Sequence, residues 1–131
     1  MIVHCLPHAT GLLQFVVYND EELMGTIECQ LCSGNQSHWG AIKNFLVYEQ
    51  FRRQGAGTYL LTAVTTCLAD PGERLGLEIP PLEMLLAILP TRANIPARVF
   101  EKCGFNHIGE THSNKAYQFS FWKQHVVIPL H

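Results

Sequence analysis

The chain has little charge, no basic excess and no long apolar run. Only 15% of its 131 residues are charged, and nine Lys and Arg against eleven Asp and Glu leave a formal net charge of −2. Binding to a nucleic-acid backbone draws on clustered cations that displace counterions, so no nucleic-acid partner is expected. No apolar stretch approaches the ~20 residues that cross a bilayer, and Met1–Thr10 holds His4 and His8 but no basic segment ahead of an apolar one. Neither membrane association nor a leader is expected, and the expected location is cytoplasmic. Internal repeats, low-complexity tracts and linkers are also lacking. What remains, 47% apolar residues in a chain of this length, suits a single domain spanning 1–131.

The five cysteines are an odd number in a chain long enough to fold around an apolar core, so reduced thiols are expected. Cys29 and Cys32 have the spacing of zinc ligands, with His4, Cys5 and His8 as further donors, and a small metal-binding interaction protein is one alternative reading. Against it, no second Cys-x-x-Cys or His-x-x-x-His completes a tetrahedral set. Leu23, Gly25, Ile27, Cys29 and Leu31 also alternate with Met24, Thr26, Glu28 and Gln30 as on a half-buried strand, where residues three apart face opposite sides. Cys29 is expected in the core, Cys32 at a strand end, and no metal is expected.

The periodicities predict strands over Leu12–Tyr18, Leu23–Leu31 and Trp39–Tyr48, forming an antiparallel meander, with Met1–Leu6 able to supply one more short strand. From Gly55 the period changes: Ala56, Leu60, Val64, Cys67 and Leu68 mark an amphipathic helix, stopped by Asp70-Pro71-Gly72. Glu73–Pro81 reads as a connection and Leu82–Leu89 as a buried strand. Asn94 as N-cap, Pro96 in the first turn and Gly104 beyond the end bracket a short helix, Ile95–Cys103. Phe105–His112 and Ala116–Ile128 then form a closing hairpin around Ser113-Asn114-Lys115. The order is β-β-β-α-β-α-β-β, an α+β (mixed α/β) domain.

The junction Phe51-Arg52-Arg53-Gln54-Gly55-Ala56-Gly57-Thr58 joins a strand to a helix through a basic, glycine-containing turn. Free N–H groups at a helix start, the helix dipole and side-chain-free glycines together favour a phosphate, and Arg52 and Arg53 add formal charge. The bland reading is that the glycines only shape the turn. Neither a P-loop nor a dinucleotide Gly-x-Gly-x-x-Gly fits the spacing. Arg52-Arg53-Gln54-Gly55-Ala56-Gly57 instead resembles the pyrophosphate signature Arg/Gln-x-x-Gly-x-Gly/Ala of the GNAT superfamily of acyl-CoA N-acyltransferases, flanked as in that family by Leu46-Val47, Phe51 and Leu60-Leu61. Asn94-Ile95-Pro96-Ala97-Arg98-Val99-Phe100-Glu101-Lys102-Cys103-Gly104-Phe105 is similar to a second family segment in the right order.

The resemblance implies a central, mixed and mostly antiparallel twisted sheet with splayed central strands and two main helices. It also implies acetyl-CoA as co-substrate. Backbone groups of Leu46, Val47 and Tyr48 would bond pantetheine. Arg52, Arg53, Gln54, Gly55, Ala56, Gly57 and Thr58 would hold the pyrophosphate, and Asn94 and Phe100 would lie near the thiol.

Acyl transfer from a thioester needs a neutral amine, a polarised carbonyl and a proton for the leaving thiolate. The family places a Tyr as acid where this chain has Phe100; counting from Asn94 instead lands on Glu101. Its base positions fall on Ala41 and Lys43, with His38 and Asn44 nearby. The catalytic residues stay unassigned, with Lys43, His38 and Glu101 as weak candidates. Three options stay open: a water relay, an acceptor amine that is already neutral, or a non-catalytic CoA-binding or regulatory module. His107, His112 and His125 are too irregular for a ligand set, and Trp39 and Trp122 read as core or rim.

Only eleven residues precede Leu12, too few for the two helices that wall the acceptor side in the family. The acceptor side is therefore expected to be open, suiting a protein or small-molecule amine, or a site finished by a second subunit in a homodimer.

Overall fold

A computed structural model describes residues 1–8, 10–34, 37–91 and 95–121. Seven strands form one sheet: β1 (Ile2–Pro7), β2 (Leu12–Asn19), β3 (Glu22–Ser33), β4 (His38–Val47), β5 (Met84–Pro90), β6 (Asn106–Glu110) and β7 (Asn114–Ser120), in the order β1-β2-β3-β4-β5-β7-β6. All neighbours are antiparallel except β4 and β5. The helices are α1 (Ala56–Ala69), α2 (Pro71–Leu75) and α3 (Ala97–Lys102), with a 3-10 turn at Glu49–Phe51. The fold class read from the sequence is the one observed, and Met1–Leu6 does supply an edge strand. Beyond Phe121 the predicted last strand lies outside the described residues.

Three local departures have physical causes. Asp70-Pro71 ends α1 but also starts α2, because the Asp70 carboxylate accepts from the Glu73 N–H and proline suits the first helical position. Leu23–Leu31 does not keep its alternation: Val17 pairs with Gly25 and Tyr18 with Leu23, so Met24 is the extra residue of a bulge and turns into the core at 1% exposure. At α3 the N-cap is Pro96, in extended conformation, rather than Asn94, which lies outside the described residues.

One face of the sheet carries the core. Alternate residues such as Phe15, Ile27, Cys29, Leu85 and Ala87 are fully buried against Leu60, Leu61 and Val64 of α1. On the same side α3 packs against α1, and Phe100 enters an aromatic cluster with Phe45, Phe105 and Tyr117. Among the described residues no helix lies on the opposite face, where Trp39, Met84 and Leu86 are half-buried and Ile88 is exposed.

The parallel pairing of β4 with β5 runs only from Trp39↔Met84 to Ile42↔Ala87. Immediately beyond it β4 bulges. Thr26 faces Leu46 but Glu28 faces Lys43, and Asn44 takes a left-handed φ of 48°, a conformation asparagine tolerates. The Asn44 side-chain amide donates to the Glu28 carboxylate and holds the bulge toward β3. The two central strands therefore fork.

Candidate coenzyme A site

The fork opens a cleft of about 460 Å³ between Lys43–Leu46 and Ile88–Pro90. In antiparallel pairing, alternate residues turn their N–H and C=O toward a given neighbour. The Tyr48 N–H donates to the Met24 carbonyl at 2.9 Å, so Tyr48 faces β3 and Val47, one residue earlier, turns its backbone groups to the side β5 has left.

Beyond Val47 the chain passes through the 3-10 turn to α1. Gly55, at φ 81°, is the N-cap and provides no side-chain cap. The first helical bond is Tyr59 N–H to the Gly55 carbonyl at 2.9 Å, leaving the N–H groups of Ala56, Gly57 and Thr58 without partners in the helix. They border a cavity of about 490 Å³ whose walls are Val47, Phe51, Arg52, Arg53 and Gly55–Thr58 on one side and Ile95, Pro96, Arg98, Val99 and Lys102 on the other. The Cys103 thiol ties the end of α3 to α1, lying 3.4 Å from Thr62 Oγ1 and 3.6 Å from the Thr58 carbonyl; burial raises its pKa. Among the described residues the one histidine- or cation-to-carboxylate contact is His107–Glu110 at 3.5 Å. The charges of Arg52, Arg53, Arg98 and Lys102 are thus not neutralised by a described carboxylate. An uncapped helix N-terminus beside four cations is built for a polyanion.

A third cavity, about 150 Å³, lies between these two: it shares Ile95 and Pro96 with the cationic cavity and Leu89 and Pro90 with the fork, and Thr91, Ala97, Lys115 and Tyr117 also line it. The three cavities thus lie next to one another between the α1 N-terminus and the fork.

The residues singled out in the sequence fall into several groups. Val47, Arg52, Arg53, Gly55, Ala56, Gly57 and Thr58 come together in the cationic cavity, and Leu46 and Lys43 border the fork. The Gln54 side chain instead donates to the Gln50 carbonyl at 3.2 Å. Tyr48 is not free to bond a ligand through its N–H, which β3 already uses. Phe100 is 0% exposed, stacked parallel on Tyr117 with ring centroids 4.4 Å apart, and lines none of the cavities described above. Asn94 lies outside the described residues. Glu101 is exposed on α3 away from the cavity walls, and His38 stands at the far end of β4, its carbonyl accepting from the Glu83 N–H at 2.8 Å.

Sequence reasoning missed Arg98 and Lys102 as site residues. Their signal was available: two cations four residues apart share one helix face. Cys29 is fully buried, and among the described residues no three His, Cys, Asp or Glu side chains gather as a metal site would require. No described helix is long and apolar enough to cross a membrane.

A forked β4–β5 pair thus leads to an uncapped, cation-flanked helix start in a GNAT-type fold. The sequence matches the family model described as "Acetyltransferase (GNAT) domain" over residues 11–107, and the chain belongs to that family. Solved structures agree in fold. PaiA N-acetyltransferase from Thermoplasma acidophilum in complex with coenzyme A is 13% identical with a TM-score of 0.65, over 84% of this chain and 61% of its own. The ribosomal-protein-S5-alanine acetyltransferase of Vibrio fischeri is 15% identical with a TM-score of 0.67, over 84% of this chain and 62% of its own. A variant of the spermidine N-acetyltransferase SpeG of Vibrio cholerae is 16% identical with a TM-score of 0.65, over 88% of this chain and 69% of its own. The chain thus spans about two thirds of these proteins' lengths. No curated protein matches it in sequence.

Proposed function

We propose that the protein transfers the acetyl group of acetyl-CoA to a primary amine by direct attack. The observation that carries this reading is the cationic cavity at the uncapped α1 N-terminus, with Val47 in its wall and the fork between β4 and β5 just before Val47 along the chain. In this reading the amides of Ala56, Gly57 and Thr58, with Arg52, Arg53, Arg98 and Lys102, hold the pyrophosphate and fix one end of the co-substrate. Val47 orients the pantetheine arm along β4. The thioester then lies in the fork, where a main-chain N–H polarises its carbonyl as the amine attacks. CoA in the PaiA structure supports the choice of co-substrate.

The acceptor is a protein or small-molecule amine. The neighbours' names divide between a protein alanine and a polyamine, and do not narrow it. A homodimer in which a second copy covers the bare sheet face fits the half-buried Trp39, Met84 and Leu86 on that face.

A second reading, a non-catalytic CoA-binding module, is favoured by Phe100, which puts a proton-free ring in the core at the family's acid position. Thermal melting with acetyl-CoA, CoA and ATP at matched concentration tests the cofactor: stabilisation by the first two and not by ATP is expected, about 2.7 kcal/mol at a hundredfold excess over Kd. Free-thiol release from acetyl-CoA across a panel of amines then separates enzyme from binder.

A further inference from the structure

We propose that the Tyr117 hydroxyl is the proton donor to the departing CoA thiolate, an inference that rests on the acyltransferase reading above. Tyr117 belongs to β7, outside the segment 11–107 that matches the family model.

Its position follows from the sheet. Ala87 is the last β5 residue paired with β4, and Tyr117 is the residue of β7 directly opposite Ala87. Tyr117 therefore stands level with the point where the central strands part, on the other side of β5. Its side chain is 3% exposed and lines the small cavity whose walls are shared with the cationic cavity on one side and the fork on the other. In this reading a co-substrate anchored at the α1 N-terminus with its thioester in the fork runs along the residues this cavity shares with the other two. Phe100, which cannot give a proton, lies flat against the Tyr117 ring, centroid to centroid at 4.4 Å. The phenol missing from α3 is thus present on the neighbouring ring.

The surroundings keep that phenol protonated. Burial is the first cause of its raised pKa, followed by the negative charges of Glu101 on α3 and Glu110 on β6. His107 packs against the ring at 5.5 Å, and Lys115 shares the cavity wall. In the step itself the neutral amine nitrogen forms a bond to the thioester carbon, and the carbon–sulfur bond breaks with its electron pair going to sulfur. The thiolate takes the Tyr117 proton, the new amide nitrogen loses its extra proton to water, and the tyrosinate regains one from solvent. The products are the N-acetylated amine and CoA thiol.

The test is Tyr117→Phe, which removes the hydroxyl and keeps the stacked ring, with Tyr59→Phe on the exposed face of α1 as control. Two readouts are used. Melting shifts with CoA and with desulfo-CoA report the hydroxyl–sulfur contact: wild type should be stabilised more by CoA, and Tyr117→Phe should erase that difference while its unliganded melting temperature stays unchanged. Thiol release from acetyl-CoA, with a polyamine, an alanine-terminated peptide and a lysine peptide as acceptors, should show kcat down by about 10²-fold and KM for acetyl-CoA within about twofold. A CoA-to-desulfo-CoA difference that survives in Tyr117→Phe overturns the proposal, as does a loss of rate expressed in KM. If CoA gives no shift in the wild type, the cofactor reading fails, and this proposal with it.

Discussion

Removing Arg98 tests how the cationic cavity holds its ligand, because the structure separates charge from backbone. Arg98 is exposed, as are Arg52, Arg53 and Lys102, whereas the Ala56, Gly57 and Thr58 amides lie at a helix start beside the buried Ala56 and Phe51. An exposed ion pair contributes about 0.2–1 kcal/mol, so Arg98→Ala should weaken CoA binding by only ~1.4- to 5-fold near physiological salt. The Debye length shrinks from about 10 Å at 0.1 M to about 3 Å at 1 M salt, so the difference between wild type and variant should vanish at 1 M. The amide contacts are short-ranged and should leave residual affinity in both proteins. Titration calorimetry with CoA at two salt concentrations reads both quantities. A hundredfold loss independent of salt would refute this division, since it would make Arg98 a desolvated anchor. No loss at low salt from any of the four cations would remove the polyanion from this cavity.

Other perturbations test the frame around the site. A Cβ at Gly25 would lie 2.7 Å from the Leu46 carbonyl oxygen, backbone that cannot swing aside, so Gly25→Ala should cost about 1–3 kcal/mol and displace the end of β4, lowering Tm and, on the proposed reading, CoA affinity. A Cβ at Gly40 would meet the Cys29 thiol and Leu85 Cδ2, both at 2.8 Å, so Gly40→Ala should lower Tm but spare affinity once folded. With an unfolding entropy of about 2.1 cal/mol/K per residue, such costs mean roughly 4–11 °C for either variant, read by calorimetry. Gly55→Glu places bulk and negative charge at a φ of 81° beside the free amides and should abolish CoA binding in a folded protein; retained affinity would place the cofactor elsewhere. Burial raises the thiol pKa of Cys5 to about 11 and of Cys29 to about 12, from 9.0. A raised folded pKa contributes stability that is complete below the unfolded value and lost as pH rises through the folded one, so denaturant midpoints should hold to about pH 9 and fall between there and pH 12. Cys29→Ala should flatten that fall, and an unchanged slope would refute the assignment.

Much of this arrangement was legible because the relevant signals are local. The amphipathic stripe from Ala56 to Leu68 and the Arg52–Gly57 turn are short-range patterns, and they place α1 and the cationic cavity at its start. What escaped is decided by pairing between distant segments. No residue type announces that Met24 will be the extra residue of a bulge, and reading it needs the register of β2 against β3. Likewise the Tyr48 amide looks available until β3 is laid beside it. The burial of Phe100 is likewise set by a distant segment, since its ring stacks on Tyr117 of β7. Asp70-Pro71 carries both a stop and a start signal, and only the stop was read.

The fork explains why binding residues were easier to find than catalytic ones. It is made by backbone: parallel pairing ends at Ile42↔Ala87, and an asparagine at φ 48° absorbs the change of direction, held by Glu28. Once the strands part, Val47 presents main-chain groups, and the turn ending at Gly55 presents more, so the ligand-holding surface depends little on side-chain identity beyond glycine and positive charge. A proton donor must be a side chain, yet any residue whose hydroxyl reaches the fork can serve, from whichever element borders it. Here Phe100 of α3 and Tyr117 of β7 pack ring against ring, so the proposed phenol sits on the strand and not on the helix. Sequence spacing within one segment is blind to such a placement, because the two positions are close only in the folded sheet.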